Sequence, residues 1–201
     1  LVTLFVRIRS VPELMMTNFK QPHNKSIEGK SLSEAAEIMK KGEVDTICDL
    51  LLDEDLKISY VSPGPSLATL PDFITHPRTM IGTDAVLLGE YPNPRSYGTF
   101  PTILADYVRE EGRLTLEDAI RKMTSMAAHR LDIRDRGMLC DGMKADIVVF
   151  DPDTVSSPAT LQNPKQYPVG IDYVLVNGKV VVDQGQHTGA LAGRALRHGR
   201  A

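Results

Sequence analysis

The hydrophobic period of this chain changes near Arg136, and that change limits what the chain can fold into. Upstream, apolar residues recur at helical spacing. Thr115 precedes "LEDAIRKMTSMAAHRL", where Leu116, Ile120, Met123 and Ala127 share one stripe. Phe100 to Glu111 carries Ile103, Leu104, Tyr107 and Val108 on another, with Pro101 in the first turn. Downstream, Gly142 marks a turn before the apolar run Ile147 to Phe150, and "IDYVLVNGKVVVDQG" reads as a hairpin closed by Asn177-Gly178. Strands alternating with helices, then strands alone, predict an α/β chain: part of a parallel barrel over residues 1–136 and a separate β unit over 137–201.

The first half fits the same order. Val2 to Ser10 reads as a strand, with Val2, Leu4, Val6, Ile8 and Ser10 on one face, and Pro12 ends it. "NFKQPHNKSIEG" is expected to be a loop. Ser31 and Glu34 form a capping box for "LSEAAEIMKK", which Gly42 is expected to end, and "EVDTICDLLLDED" is a second helix with Ile47, Leu50 and Leu51 at helical spacing. Lys57 to Val61 and Thr79 to Thr83 are short strand candidates, and Ser66 is a candidate cap for a brief helix through "LATLPDFITH".

Composition excludes several function classes. A net charge of −3 over 201 residues gives no electrostatic footing for nucleic acid, and the Arg-rich end reads as a solvated tail. No apolar run approaches the roughly 18 residues of a membrane span. Cys48 and Cys140 are far apart and outside any CxxC pattern, so a reducing, cytoplasmic setting is the expectation. The chain opens on "LVTLFVRIRS", already strand-like and without Met, which leads to the expectation that sequence lies upstream.

Two charged residues stand out. Asp84 follows the apolar "TMIGT" and precedes a long loop, the place where barrel enzymes carry catalytic side chains; a turn-capping aspartate also fits there. Arg95 lies in the following loop, "PRSYGTF". The other conspicuous residues read as structural. His76 looks like a helix C-cap, His129, His187 and His198 are scattered, Cys48 sits on an apolar helix face, and the Met residues of "KMTSM" fill core.

Together, "IGTDAV", "NPRSYGTFPTIL", "RGMLCDGMKADIVVFDPDTV" and "GIDYVLVNGKVVVDQGQHTGALAGRALR" resemble the C-terminal part of the N-acyl-D-amino-acid deacylases (D-aminoacylases) of the metal-dependent amidohydrolase superfamily. The resemblance runs from about Ile81 to the end and is weaker before it. It implies the last part of a (β/α)8 TIM-type barrel followed by strands of a small β-sandwich. It also implies hydrolysis assisted by Zn²⁺, which lowers the pKa of its bound water to about 7 and polarises the scissile carbonyl. In such enzymes the aspartate closing the eighth strand is the general base, and Asp84 matches it, with a role as metal ligand left open. The arginine of the "PR…GTF" loop forks onto the substrate's free carboxylate, and Arg95 matches it. Ser10, at a strand end, is a weaker substrate-binding candidate. Two positions depart from many relatives: Asn93 stands where they read His, and Thr102 where they read Arg.

The resemblance places the metal ligands, including a His-x-His pair, before Leu1. The chain is therefore expected to be a C-terminal portion that alone neither binds zinc tightly nor turns over. Its open edges invite dimerisation or strand exchange into a homo-oligomer. The expected substrate is a small N-acyl amino acid. A cyclic-amide hydrolase of the hydantoinase or dihydroorotase kind, and a non-catalytic assembly module, remain the competing readings.

Overall fold

A computed structural model of the chain describes residues 13–62 and 69–197. The expected strand Val2 to Ser10, with the Ser10 candidate, and the expected cap Ser66 lie outside them. The chain divides into two compact units: Leu1–Pro65 with Ala85–Ser96 and Thr160–Lys165, and Ser66–Asp84 with Tyr97–Ala159 and Gln166–Ala201.

In the first unit, β1 (Met15–Thr17) pairs antiparallel with β2 (Ser59–Val61), Met16 opposite Tyr60. The strand predicted at Lys57 to Val61 therefore exists, but its partner runs against it. Helix α1 (Leu32–Met39) starts at the predicted capping box: Ser31 Oγ accepts the Glu34 N–H at 3.2 Å, and Glu34 Oε2 accepts the Ser31 N–H at 2.7 Å. Its end differs from expectation. Lys40, not Gly42, turns left-handed at φ 54° and closes the helix, and Gly42 stands in extended conformation at the start of α2 (Glu43–Asp53). Met16, Phe19, Ile27, Leu32, Ala35 and Leu50 form the core, joined by Met39, Ile47 and Ile58. Burying a side chain such as Phe19 or Leu50 stabilises by about 1.5–3 kcal/mol.

The segment read as a loop contains a 3-10 helix, Pro22–Ile27. Its cause is tertiary. Glu54 is buried, and its carboxylate accepts the N–H groups of Lys20 (2.7 Å) and Gln21 (3.1 Å) and the Asn24 amide (2.8 Å). A carboxylate from the end of α2 thus satisfies donors that the turn leaves without partners.

In the second unit, α3 (Leu70–Thr75) stops at His76, the C-cap the sequence predicts. Thr79 to Thr83 is not a strand: it forms no ladder with the described residues, and the Ile81 N–H donates instead to the carbonyl of Lys122 at 3.2 Å. Further along, α4 (Arg95–Thr102) begins five residues before the predicted helix, so Pro101 lies inside it. Proline offers no N–H to the turn before it, and the chain continues as a π-helix, Ile103–Glu110, with its wider register. The single helix expected after Thr115 is two: α5 (Leu116–Met123) and α6 (Ser125–Arg130). Between them Thr124 leaves helical geometry (φ −127°, ψ −90°) while its hydroxyl donates to the Ile120 carbonyl at 2.8 Å.

The predicted strand Ile147–Phe150 and the Asn177-Gly178 hairpin are present. β3 (Ile147–Phe150), β4 (Ile171–Val176), β5 (Lys179–Asp183) and β6 (Gln186–His187) form an antiparallel sheet in chain order. Asn177 (φ 50°) and Gly178 (φ 79°) are both left-handed, as the tight β4–β5 turn requires. Arg136 and Asn177 hold that turn: the Asn177 N–H donates to Asp146 Oδ1 at 2.7 Å, and Arg136 bonds both Asp146 and the Asn177 amide oxygen. Ile74, Ile103, Leu104, Leu114, Ala119 and Val155 form the core, with Ile81, Met123, Phe150 and Ile171 against it. Every strand ladder among the described residues is antiparallel, so the architecture is mixed helix and sheet.

Burial alone would raise the Glu54 pKa, but the bonds from Asn24, Lys20 and Gln21 outweigh it and hold the carboxyl below its usual range. A depressed folded-state pKa contributes stability that is full above the unfolded value and is lost as pH falls through the folded one. Glu54→Ala is expected to cost about 3 kcal/mol in urea denaturation at neutral pH, and less once the medium is acid enough to protonate the wild-type carboxyl. Equal cost at both pH values would count against this account.

Candidate active site

The two principal candidates fall in different units, Arg95 in the first and Asp84 at the edge of the second, and each is described where it stands.

Asp84 is exposed and takes φ 45°. Left-handed backbone costs an L-residue roughly 1–2 kcal/mol, with Asp and Asn the most tolerant non-glycine types. The segment before it is pinned to α5. Lys122 is completely buried, and its ammonium donates to the carbonyls of His76 and, at 3.2 Å, of Thr79. Arg121, paired with Asp118 at 2.8 Å, reaches the Pro77 carbonyl at 3.4 Å. Lys122 is the residue that sequence reasoning missed. In "RKM" it reads as a last-turn cation on a solvated face, and only the unpredicted path of residues 76–81 buries it.

Arg95 is the first residue of α4 and is exposed. Asn93 Oδ1 accepts the Arg95 N–H at 3.0 Å, and the Asn93 carbonyl accepts the Ser96 N–H at 2.9 Å. The departure at Asn93 therefore has a local role in starting the helix. The loop ahead of it is fastened to β1. Tyr91 N–H donates to Thr17 Oγ1 at 3.3 Å, and Glu28 Oε1 accepts the N–H groups of Asn18 (2.9 Å) and Glu90 (3.4 Å). Burial works to raise the Glu28 pKa, but the Lys25 ammonium at 2.7 Å and those backbone donors hold it below the usual range. A polar cleft of about 460 Å³ opens there, lined by Lys25, Glu28, Glu90, Tyr91, Asn163 and Lys165 among others.

A hydrolytic zinc needs three protein ligands and an open position. Among the described residues, no three His, Cys, Asp or Glu side chains are grouped to hold a metal ion. The described residues thus do not fit a zinc site by themselves. No described helix is long and apolar enough to cross a membrane.

The family model described as "Amidohydrolase family" matches residues 58–182. This chain belongs to the amidohydrolase family. It is 39% identical over 152 residues to an N-acyl-D-aspartate deacylase of Alcaligenes xylosoxydans xylosoxydans, covering 73% of this chain and 30% of the relative. Among solved structures, a D-aminoacylase said to define a novel subset of amidohydrolases is 33% identical with a TM-score of 0.78, over 90% of this chain and 37% of that one. The N-acyl-D-glutamate deacylase of Bordetella bronchiseptica, complexed with zinc and a phosphonate mimic of the tetrahedral intermediate, is 31% identical with a TM-score of 0.76, over 88% and 36%. The chain thus spans about a third of the length of these amidohydrolases.

Gly89 (φ 70°) lets the Arg95 loop approach β1: a Cβ there would stand 2.7 Å from Thr17 Oγ1 and 2.8 Å from the Asn18 nitrogen. Gly89→Ala combines that clash with a disfavoured φ and is expected to cost about 2 kcal/mol. Thermal denaturation reads the loss, and faster amide exchange across residues 89–96 reports the loosened loop.

Proposed function

We propose that this sequence forms part of a zinc-dependent enzyme that hydrolyses N-acyl-D-amino acids to a carboxylate and a free D-amino acid. The observation that carries the reading is the likeness to deacylases over nine-tenths of the chain, at 33% identity for the D-aminoacylase. In the proposed arrangement, residues 1–136 contribute to a (β/α)8 barrel and 137–201 to a β-sandwich, the boundary read from the period change. The described residues do not supply a zinc ligand set, so the proposal assigns the metal to other sequence of the whole enzyme and routes no step through Asp84 as a ligand.

Asp84 takes the role of general base: its carboxylate accepts a proton from the attacking water and returns it to the departing amine nitrogen. An exposed carboxylate on a strained turn supports that role, since unfavourable backbone geometry persists where something beyond local stability holds it. Arg95 takes the role of clamp. Its guanidinium offers two parallel N–H donors to the α-carboxylate that an N-acyl amino acid keeps, a group that the hydantoin ring lacks. Ser10 is proposed only as a further substrate contact.

In the full-length enzyme carrying this sequence, Asp84→Asn is expected to lower kcat by about 10³-fold with zinc content unchanged. Release of amine from N-acetyl-D-amino acids is the assay, with hydantoin as the competing substrate. Turnover of hydantoin alone, or an active Asp84→Asn enzyme, would overturn the proposal. Arg95→Ala is expected to raise KM by about 10- to 100-fold, equivalent to one bidentate charge-assisted contact, for free-carboxylate substrates only. Equal loss on a carboxyl-amidated analogue would remove the clamp.

A further inference from the structure

We infer that Lys122 is a positioning residue for the Asp84 carboxylate. The inference rests on Asp84 acting as the base, but its geometry stands on its own.

A buried ammonium is costly, and Lys122 is completely buried. Its bonding partners are not carboxylates but two main-chain carbonyls, His76 O and Thr79 O at 3.2 Å. The same residue's own carbonyl accepts the Ile81 N–H at 3.2 Å. One residue of α5 therefore grips the segment at positions 76, 79 and 81, by side chain and main chain together. Thr79 N–H closes a turn onto His76 O at 3.0 Å, and the Ile81 side chain is seated against the core. Only Gly82 and Thr83 separate that anchor from Asp84, so the anchor sets where the chain enters the turn that carries the carboxylate.

Stability alone does not call for a cation here. A methionine of similar length would fill the same space with no ammonium to desolvate, but it would leave the carbonyls of His76 and Thr79 without their donor. What the ammonium adds is direction. It draws two carbonyls to one point, so the backbone between them can take only one path. Among the described residues that path has no strand ladder, and the clamp fixes it there. Misplacing a reacting group by about 1 Å can cost 10²-fold in rate while ground-state binding is kept.

The test uses the full-length enzyme carrying this sequence, with Lys122→Met, Lys122→Arg and Asp84→Asn made in parallel. Lys122→Met is expected to lower kcat by about 10- to 100-fold with KM within about threefold. Zinc content should stay unchanged, and amide exchange across residues 79–84 should quicken. Lys122→Arg, which keeps the charge and the donors, should recover much of kcat. A folded Lys122→Met enzyme with kcat and exchange both at wild-type levels overturns the inference. So does loss of the cooperative melt in both Lys122 variants, which would make Lys122 a residue of global stability. An active Asp84→Asn enzyme removes the base itself; exchange across 79–84 in Lys122→Met then still reports whether the clamp sets the segment.

Discussion

A buried ammonium decides the path of the chain ahead of Asp84. Polar main-chain groups taken out of water must find partners, and the carbonyls of His76, Pro77 and Thr79 and the Ile81 N–H find theirs on α5. The first unit solves the reverse problem by the reverse means. There a buried carboxylate, Glu54, gathers orphan N–H groups at a turn, where Lys122 gathers orphan carbonyls. In both cases one long charged side chain leaves the end of a helix and fixes irregular backbone that no periodic hydrogen bonding could hold. Each arrangement is unforgiving: removing the charge leaves several main-chain groups without partners at once.

What the sequence made legible was local. The Ser31–Glu34 capping box needs only four residues, and the Asn177-Gly178 turn needs two, so neither depends on what packs around it. The C-cap at His76 is of the same kind. The errors lie where a distant group decides. The 3-10 helix at Pro22–Ile27 depends on Glu54, which bonds its Asn24 from 30 positions away. Thr79 to Thr83 has the composition of a buried strand, but a strand also needs a neighbour in register, and composition does not carry that. The break at Thr124 turns on a hydroxyl choosing the Ile120 carbonyl over water.

The candidate site was legible in the same uneven way. Asp84 and Arg95 could be singled out because a charge after an apolar run, and a guanidinium in a Pro/Gly loop, are visible one residue at a time. Lys122 could not. Its partners at positions 76, 79 and 81 carry no signal as a set, and their meaning comes from main-chain groups, which every residue has.

The two proposed residues share a property that pattern reading can use. Both break a local rule. Asp84 sits in left-handed backbone, which glycine would occupy at lower cost. Arg95 opens α4, where the helix dipole presents its positive end and a cation is disfavoured by about 0.3–1 kcal/mol. Such violations concentrate at functional positions. For Arg95 the penalty and the proposed use have one origin. The helix N-terminus that repels the guanidinium attracts an anion, so a carboxylate arriving at Arg95 relieves a repulsion as well as gaining two hydrogen bonds. A lysine at the same position would carry the same repulsion without the fork, which is why charge alone does not substitute for arginine here.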